Sequence, residues 1–578
     1  MIPSCFPRLP SIKKAKKVIS ALVGIAIILF SLSSLAAEIE KADVVYMNGN
    51  VYTVDEKNPR VSAMAIKDGR FIYAGSDAGA KKYFGDKTSV VDLKARTVIP
   101  GLIDSHIHFS LIGELKMKLN VYWKPKEEIL ELVTRAYQKA GKGEWIDGFG
   151  WNQEVWDPPV FPAKQELDKV APNLPVYLER TDGHAAWVNS KALKIAGITK
   201  TTLNPEGGEI LKDSKGEPTG ILTDTATTLV SRHIPPLGRQ KMFQAFELAQ
   251  EELLSNGITS GQDAGCNLDT VALMKNLYES GKLYLRLYVR LLIPEDSTTP
   301  GDEVYTKRKQ VGLYENRLTI RGIKIFADGA LGSRGAFMLQ PYSDRQGYAG
   351  NQIVTDERLY ALVKKALEAG FQVSVHAIGD AANRMVLDVY ERVFKEKPDQ
   401  NHRFRIEHAQ VVAQEDIPRF TRLSVIPSMQ TVHVISDMNM AEKRIGPDRI
   451  KGAYAWRKFL DSGSIIADGT DAPVEPINPF LGLYAAVTRK DLKGLPEAGW
   501  YPEECMTREE ALKSYTIWGA YAAFEEKLKG SIQSGKLGDF VVIDKDYFTC
   551  TESEIKDIRV LQTVLGGKVV YPRRQVSK

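Results

Sequence analysis

The feature that most constrains the fold is an alternation of short apolar strands and amphipathic helices through the middle of the chain. One helical pattern stops at Gly370, and the apolar strand Phe371–His376 follows directly. The next helical pattern ends before Pro398 and leads to the strand Arg403–His408. Strands joined in this way are parallel, because each helix returns the chain to the same end of the sheet. Similar strands number about eight, at 97–104, 257–263, 285–292, 320–326, 371–376, 403–408, 423–428 and 464–468.

Eight parallel strands with helices between them are typical of a closed barrel. We therefore expect an α/β protein whose main domain is a (β/α)8 TIM barrel over residues 97–525. The stretch 113–254 separates the first two strands and is too long for a loop, so it predicts an inserted subdomain. A chain of 578 residues also exceeds one compact core, which agrees with a large domain plus accessories.

Both ends of the chain read as β structure. Short apolar segments flank turn residues that are typical of hairpins. These turns are Asn48-Gly49-Asn50, Asp68-Gly69 and Gly566-Gly567. A further strand, Phe540–Ile543, follows a Gly-Asp turn. We expect residues 38–96 and 526–578 to build one small composite β-sandwich domain from both termini.

The first 37 residues have the composition of a targeting segment. Five cations precede the apolar run Val18–Phe30, and Ser34-Leu35-Ala36 offers small residues for cleavage. We expect residues 1–37 to be a signal peptide and the protein to be exported, periplasmic or secreted, with no stable membrane insertion after cleavage. An uncleaved anchor over Val18–Ala37 is the alternative.

The charge and the cysteines exclude several classes of protein. The formal charge of +5 equals the five cations of residues 1–37, so the remaining chain is neutral and no nucleic-acid surface is expected. Cys5 lies in the targeting segment, whereas Cys266, Cys505 and Cys550 are far apart and form no C-x-x-C pair. The sequence therefore predicts neither a disulfide framework nor a thiolate zinc site, and it leaves a single disulfide open.

The strongest local signal is an H-x-H pair after the apolar segment Val98–Ile103. Residues two apart in a strand point to one side, so His106 and His108 can converge on a single metal ion. Such a pair also occurs on ordinary surfaces, and alone it decides nothing.

Further ligand-type residues stand at the ends of other predicted strands. Lys324 lies within the apolar strand Ile323–Phe326, where an unpaired ammonium would be costly to bury. His376 and His408 end the next two strands, and Asp471 lies just beyond the last. Barrel enzymes place their active sites at these carboxyl ends. Together with His106 and His108, these residues predict one constellation.

With these motifs the chain resembles the amidohydrolase superfamily, specifically amidohydrolase family 3, the branch that includes N-substituted formamide deformylase-like enzymes. The resemblance covers nearly all of the chain after residue 37. Beyond the ligand-type residues, it includes the segments 182–190 (DGHAAWVNS), 324–329 (KIFADG), 376–380 (HAIGD), 406–410 (IEHAQ) and 535–540 (GKLGDF). Small departures, Gly-Thr before Asp471 and Gly538 where Ala is usual, touch no ligand.

The resemblance implies a role for each ligand-type residue. His106, His108 and Asp471 would hold a first metal ion, and His376 and His408 a second. Lys324 would carry a CO₂-derived carboxylate that bridges the two ions; an unmodified lysine would favour a mononuclear site. Zinc suits these nitrogen and oxygen ligands, so we expect two Zn²⁺ ions, while other divalent ions stay open.

The resemblance also implies the reaction. A metal-bound hydroxide would attack the carbonyl of a non-peptide carbon–nitrogen amide bond, and Asp471 would pass a proton to the departing amine. The partner would be a small-molecule amide, and a homodimer is left open. One alternative is the same site acting as a lactonase or phosphotriesterase. A second alternative is an exported binding protein without catalysis.

A last set of residues concerns the substrate. By resemblance Asp182, His184, Trp187 and Asn189 sit near the mouth of the site, with His184 contacting the substrate carbonyl or capping a turn. Asp328 and Arg334 follow the fourth strand in loops that face the site, and Asp380 follows the fifth. Arg334 would pair with a substrate carboxylate or be a solvated loop residue. Gln430 and His433 follow the seventh strand and are further candidates for the pocket wall.

Overall fold

The computed structural model describes residues 39–235, 237–293, 302–398 and 401–572. The predicted signal peptide and its alternative, an uncleaved anchor, lie outside the described residues. Among the described residues, no helix has both the length and the apolar composition needed to cross a bilayer.

The main domain is a barrel of eight parallel strands in chain order. These barrel strands are Leu102–Ile107, Ile258–Cys266, Arg286–Leu292, Leu318–Phe326, Gln372–Ala377, Arg405–His408, Ile426–Met429 and Ala467–Asp468. The last strand closes onto the first, where the Asp471 amide donates to the His106 carbonyl at 2.8 Å and the His108 amide donates to Ala472 at 2.8 Å. The predicted (β/α)8 barrel is therefore confirmed.

Helices surround the barrel strands, as the 3.6-residue apolar periodicity requires. In Asp356–Glu368, for example, the Thr355 hydroxyl caps the first turn, Asp356 and Glu357 follow it, and Leu359 and Val363 lie on the buried face. The helices after the first and before the second strand are Phe109–Leu115 and Arg239–Ser255. The others are Leu268–Glu279, Asp302–Thr306, Leu313–Asn316, Asp356–Glu368, Asp380–Glu396, Ile417–Leu423, His433–Asp437, Ala441–Arg449, Trp456–Asp461, Pro479–Thr488, Arg508–Ser514 and Ile517–Ala522.

The predicted first strand, 97–104, is in fact two strands. Thr97–Pro100 pairs with Phe540–Ile543 in a terminal sheet, and Leu102–Ile107 begins the barrel. Gly101 separates them, and its Cα lies so close to the Thr259 side chain that an added Cβ would come within 2.3 Å of the hydroxyl oxygen. The apolar run is continuous because both strands are buried.

Two sheets built from both chain ends form the terminal domain. The four-stranded sheet has the order Arg70–Gly75, Ala63–Lys67, Val44–Met47 and Ser89–Asp92. The six-stranded sheet has the order Lys568–Tyr571, Val560–Leu565, Phe540–Ile543, Thr97–Pro100, Asn50–Tyr52 and Arg60–Val61. Tyr46 of the first sheet packs edge-on against Phe540 of the second, with ring centroids 4.9 Å apart. The inner faces of the two sheets thus share one hydrophobic core.

The hairpin predicted at Asn48-Gly49-Asn50 is wrong, because its two strands belong to different sheets. The strand before it pairs with Ala63–Lys67, and the strand after it pairs with Arg60–Val61. Asn48 adopts a left-handed φ of 54°, and its side chain donates to Asp92 at 3.0 Å. This turn therefore connects the four-stranded sheet to the six-stranded sheet. The other two predicted hairpins form.

The segment between the first two barrel strands forms a subdomain with its own six-stranded sheet. Its order is Gly208–Lys212, Pro218–Asp224, Ala185–Val188, Val176–Arg180, Ile146–Trp151 and Leu119–Asn120. One face packs on the helices Lys126–Lys139 and Lys164–Val170 and the other on Ser190–Ile195. The short helix Thr228–Ser231 follows the sheet. This subdomain supplies one wall of the cavity described next.

Candidate metal centre

A cavity of about 300 Å³ lies between the carboxyl ends of the barrel strands and the inserted subdomain. The barrel contributes His108, Lys324, His376, His408 and Asp471 to its wall. These are residues from the ends of five different segments of the barrel, which the closed sheet brings together.

Three of the predicted ligands converge most closely. The ligand atoms of His106, His108 and Asp471 lie within 4.8 Å of one another. Asp471 Oδ1 is 3.3 Å from His106 Nε2 and 3.1 Å from His108 Nε2. The backbone hydrogen bonds that close the barrel at this point fix Asp471 beside the two histidines.

The other predicted ligands adjoin this group. The rings of His376 and His408 have centroids 4.6 Å apart, and His408 lies 4.8 Å from His106 by the same measure. Lys324 is fully buried, with Nζ 4.6 Å from the centre of the Phe326 ring. Burial lowers the pKa of the Lys324 ammonium to about 8, so its charged form is poorly stabilised.

Hydrogen bonds orient two of the imidazoles. His106 Nδ1 lies 2.5 Å from Glu407 Oε2, and Glu407 is held in the barrel interior by the buried side chains of Arg405 and Arg290. Because the carboxylate accepts, Nδ1 of His106 carries the proton and Nε2 faces Asp471. His408 Nδ1 lies 2.7 Å from Gln430 Oε1. Neutral histidines with one nitrogen bonded in this way present the other as a metal ligand.

The electrostatics agree with this ligand form. Burial lowers the pKa of His106 to about 4 and holds the pKa values of His376 and His408 well below the usual range, so all three imidazoles are neutral at neutral pH. Burial opposes ionisation of Asp471, yet the adjacent histidines hold the pKa of that carboxyl well below its usual range. The group therefore combines neutral nitrogens with an anionic oxygen.

Several buried polar atoms of this group lack hydrogen-bond partners among the described residues. They are His106 Nε2, His376 Nε2 and Asp471 Oδ1. An unsatisfied buried polar atom is costly, so atoms that point into one site require a ligand there. Imidazole nitrogens with a carboxylate oxygen are a suitable donor set for a divalent cation such as zinc. The residues present therefore fit a metal ion.

Two of these residues have unusual backbone conformations. His408 has φ 74° and Asp471 has φ 57°, in the left-handed region that residues other than glycine rarely adopt. Such strain persists where the surrounding structure enforces it, and it concentrates at functional sites.

The inserted subdomain places two predicted residues on the cavity wall. His184 lies with its ring 5.1 Å from that of His376, and its Nδ1 is 3.0 Å from Asp224 Oδ1. Asp182 forms an ion pair with Arg180 and accepts a hydrogen bond from the His184 amide at 3.0 Å. Asp182 thus fixes the backbone of His184 on the cavity wall.

Asp328 and Asp380 hold backbone at the edge of the site. The Asp328 carboxylate accepts hydrogen bonds from the amides of Phe337, Ile378 and Gly379, at 2.9, 2.9 and 2.7 Å. Its Oδ1 is 3.5 Å from His376 Nε2, and burial raises the pKa of this carboxyl to about 7. Asp380 accepts from the Leu339 amide at 2.7 Å. Both residues position the loops after the fourth and fifth strands.

Three residues expected near the substrate lie elsewhere. Trp187 is buried in the core of the insert, where Nε1 donates to the Ala163 carbonyl at 3.1 Å. Asn189 is also fully buried and caps the helix Ser190–Ile195. Arg334 pairs with Asp344 at 2.9 Å and does not line the cavity. These side chains already have partners, which leaves them structural rather than substrate-facing.

Sequence reasoning missed other residues of the site. Glu407, Asp224, Asp437 and Glu475 all contact or line it, and His433, a candidate from the sequence, lines it too. Glu407 could have been found, because it precedes His408 in a buried strand where a carboxylate needs a partner. Asp224 carries no such signal, since its partner His184 lies 40 residues earlier.

Comparisons with known proteins agree with this geometry. A model of the amidohydrolase family matches residues 89–571. The chain is 34% identical to the "putative amidohydrolase YtcJ" of Bacillus subtilis strain 168, over 92% of this chain and 99% of that protein. It is 26% identical to the N-substituted formamide deformylase of Arthrobacter pascens, over 92% and 98% of the two chains. The crystal structure of an uncharacterized metal-dependent hydrolase from Pyrococcus horikoshii OT3 has a TM-score of 0.70 at 29% identity, covering 88% of this chain and 99% of that one.

Proposed function

The chain belongs to the amidohydrolase family, and on that premise we propose that it hydrolyses a non-peptide carbon–nitrogen amide bond of a small molecule. The observation that carries the proposal is the convergence of His106, His108 and Asp471, in which two facing atoms, His106 Nε2 and Asp471 Oδ1, are buried and lack partners among the described residues. A buried group of this kind is poorly explained as packing, because each atom has lost its hydration without a replacement.

The donor set divides between two cations. His106, His108 and Asp471 would hold one ion and His376 and His408 the other, with Lys324 carboxylated by CO₂ and shared by both. Carboxylation would replace a buried ammonium by an anion and so remove the cost of burying Lys324. Zinc ions bound here would supply Lewis acidity and lower the pKa of water, from about 15.7 to roughly 7.

The protein's own groups would carry the proton and orient the amide. Asp471 would accept a proton from the attacking water on its carboxylate and deliver it to the departing amine nitrogen. His184, held through Nδ1 by Asp224, would contact the substrate carbonyl from the opposite wall of the cavity. Glu407 and Gln430 would keep the histidine ligands in place.

The choice of bond is supported by a relative. One protein similar to this chain over most of both sequences is named an N-substituted formamide deformylase, which is an enzyme acting on a carbon–nitrogen bond. We therefore favour an N-acyl or N-formyl amine, or a cyclic amide, as the substrate class.

The proposal is tested by assaying the purified, zinc-loaded protein on formanilides, N-acyl amino acids, cyclic amides, lactones and aryl phosphotriesters. We expect turnover of amides above the other classes and about two equivalents of metal. Preference for lactones or phosphotriesters would reassign the bond. Less than one equivalent of metal, with no turnover of any compound, would leave only a binding protein.

A further inference from the structure

We propose that His433, Asp437 and Glu475 form an amine subsite, a part of the cavity that binds a positively charged amine of the substrate. The inference rests on the proposed function, because it adds the substrate class to the same site. All three side chains line the cavity. His433 and Asp437 bound the one-turn helix after the seventh barrel strand, and Glu475 follows Asp471 after the eighth.

His433 indicates that a ligand belongs in this part of the cavity. The residue is only 8% exposed, and its Nε2 has no hydrogen-bond partner in the part of the chain that the structure describes. Asp471 Oδ2 lies 3.7 Å away, which is too far for a hydrogen bond. A nitrogen in this position needs a hydrogen-bond partner, and a donor group of a ligand bound in the cavity would supply one.

Asp437 supplies a fixed carboxylate beside this imidazole. Its Oδ2 accepts hydrogen bonds from Gln410 Nε2 at 2.7 Å and from the Tyr454 hydroxyl at 2.8 Å. Both donors are neutral, and among the described residues Asp437 has no ion-pair partner. One oxygen is therefore anchored by two neutral donors, and no cation of the described residues forms a close ion pair with this carboxylate.

Glu475 adds a second carboxyl group with neutral partners. Its Oε1 accepts from the Ser436 hydroxyl at 2.7 Å, and the Tyr122 hydroxyl lies 3.3 Å from its Oε2. Because Ser436 directly precedes Asp437, this hydrogen bond joins the loop after the eighth strand to the one-turn helix. The two carboxyl groups are thus held on the same side of the cavity.

Other carboxylates of the cavity wall do have cationic or histidine partners. The pairs are Glu154 with Arg444, Asp182 with Arg180 and Asp224 with His184. Within the described ranges, the carboxylates of the wall without such a partner are Glu179, Asp437 and Glu475. Apart from the metal centre, the cavity wall therefore has more carboxyl groups than positively charged partners for them.

The pKa values of Asp437 and Glu475 agree with the lack of a close positively charged partner. Burial raises the pKa of Asp437, and it raises the pKa of Glu475 to about 8, with the neighbouring carboxylates adding to the shift at Glu475. A substrate ammonium would supply the opposite charge and donate hydrogen bonds to these oxygens and to His433 Nε2. A neutral group in the same place would supply no positive charge to either carboxyl group.

The substrate class that fits is an N-acyl amine with a second, cationic amino group. The amide would lie at the metal centre and the ammonium in the amine subsite, next to Asp471. A mono-acylated diamine has this arrangement.

Binding measurements test the subsite without requiring turnover. Isothermal titration calorimetry on the metal-loaded protein would compare n-pentylammonium with 1-pentanol, which has a similar shape and no charge. We expect the ammonium to bind about tenfold more tightly or better, and Asp437→Asn to remove most of that difference. Equal binding of the two compounds by the wild type would overturn the inference, whatever the outcome of the assays for amide hydrolysis.

A kinetic comparison extends the test to substrates. The wild type should favour N-(5-aminopentyl)acetamide over N-(5-hydroxypentyl)acetamide by about tenfold in kcat/KM, and Glu475→Gln and Asp437→Asn should each reduce this ratio toward one. The loss should come from the cationic substrate, whose KM rises, while the neutral substrate is little affected. An unchanged ratio in both variants would contradict the subsite.

Two control variants test whether loss of the preference is specific to the amine subsite. Asp448→Asn removes the same charge from a side chain that is 93% exposed, and it should leave the ratio unchanged. Glu179→Gln removes an unpaired carboxylate elsewhere on the cavity wall, and it should keep most of the preference if recognition is local. Loss of the preference in Glu179→Gln but not in Asp437→Asn or Glu475→Gln would place the amine elsewhere. If Asp437→Asn fails to fold, as judged by circular dichroism, Glu475→Gln decides.

Discussion

Glu407 Oε2 lies 2.5 Å from Nδ1 of His106, and both side chains are completely buried. The carboxylate also lies against Arg405 and Arg290, so a charged network in the barrel interior determines how one imidazole faces the cavity. The pKa of Glu407 is held well below its usual range by the two arginines, although burial alone would raise it. Glu407 is thus an anion that positions the imidazole of His106.

Glu407→Gln should weaken metal binding. The amide keeps the shape but loses the charge that orients His106 and compensates two arginines, so we expect a loss of about 10–100-fold in metal affinity. Competition with a chromophoric chelator measures it. Glu415→Gln is the matched control, since that side chain is 71% exposed and pairs only at the surface. Equal affinities in the two variants would refute the positioning role.

Asp471→Asn should reduce kcat by about 10²–10⁴-fold, because an amide cannot accept and return the proton. The thermal unfolding midpoint of the variant should stay close to that of Asp461→Asn, whose side chain is 66% exposed in the wild type. Single-turnover and steady-state rates on the best amide substrate provide the measurement. Near-normal turnover would rule out Asp471 as the proton carrier.

Lys324→Met should lower the metal content from about two equivalents to one or fewer. Methionine fills a similar volume but offers no bridging oxygen, and it removes an ammonium that is unfavourable in this buried position. The metal-free variant should therefore unfold at a temperature equal to or above that of the metal-free wild type. Elemental analysis and thermal melts report both effects. Two retained equivalents would show that Lys324 does not bridge.

Glu475 should make stability depend on pH. Its folded-state pKa of about 8 lies above the ordinary value of 4.5, so between these values the folded protein holds more protons than the unfolded chain. The free energy of unfolding should therefore fall as the pH rises through this window. Glu475→Gln cannot titrate, so relative to the wild type it should gain stability progressively from pH 5 to pH 9, by on the order of a few kcal/mol.

Urea denaturation of both proteins at pH 5, 7 and 9 measures this difference. Glu415→Gln again serves as the control, because its exposed carboxylate should give curves parallel to the wild type. A constant difference between Glu475→Gln and the wild type at all three pH values would contradict the raised pKa.

The barrel and the group of residues at its carboxyl end could be predicted because they depend on local rules. Strand periodicity and the carboxyl-end rule were enough to gather His106, His376, His408 and Asp471. The partners of these residues could not be predicted in the same way. Whether Glu407 faces His106 or the opposite side depends on barrel closure, which pairs groups about 300 residues apart.

It was harder still to predict which side chains of the inserted subdomain face the cavity. Trp187 and His184 lie three residues apart in one motif, yet one packs in the core of the insert and the other lines the cavity. The sheet order of the insert decides this, and sequence periodicity does not give sheet order. At Asn48 the turn residues were typical of a hairpin, but pairing with distant strands directed the chain into a second sheet.

The pairing of Thr97–Pro100 with Phe540–Ile543 has a consequence for biosynthesis. The amino-terminal strands leave the ribosome hundreds of residues before their central neighbour exists, so their sheet cannot close until translation is nearly finished. Until then one hydrogen-bonding edge of Thr97–Pro100 is unpaired and open to water or to a chaperone. A chain truncated before residue 540 would still contain all eight barrel strands, but one edge of Thr97–Pro100 would have no partner strand. Such a fragment should be prone to aggregation.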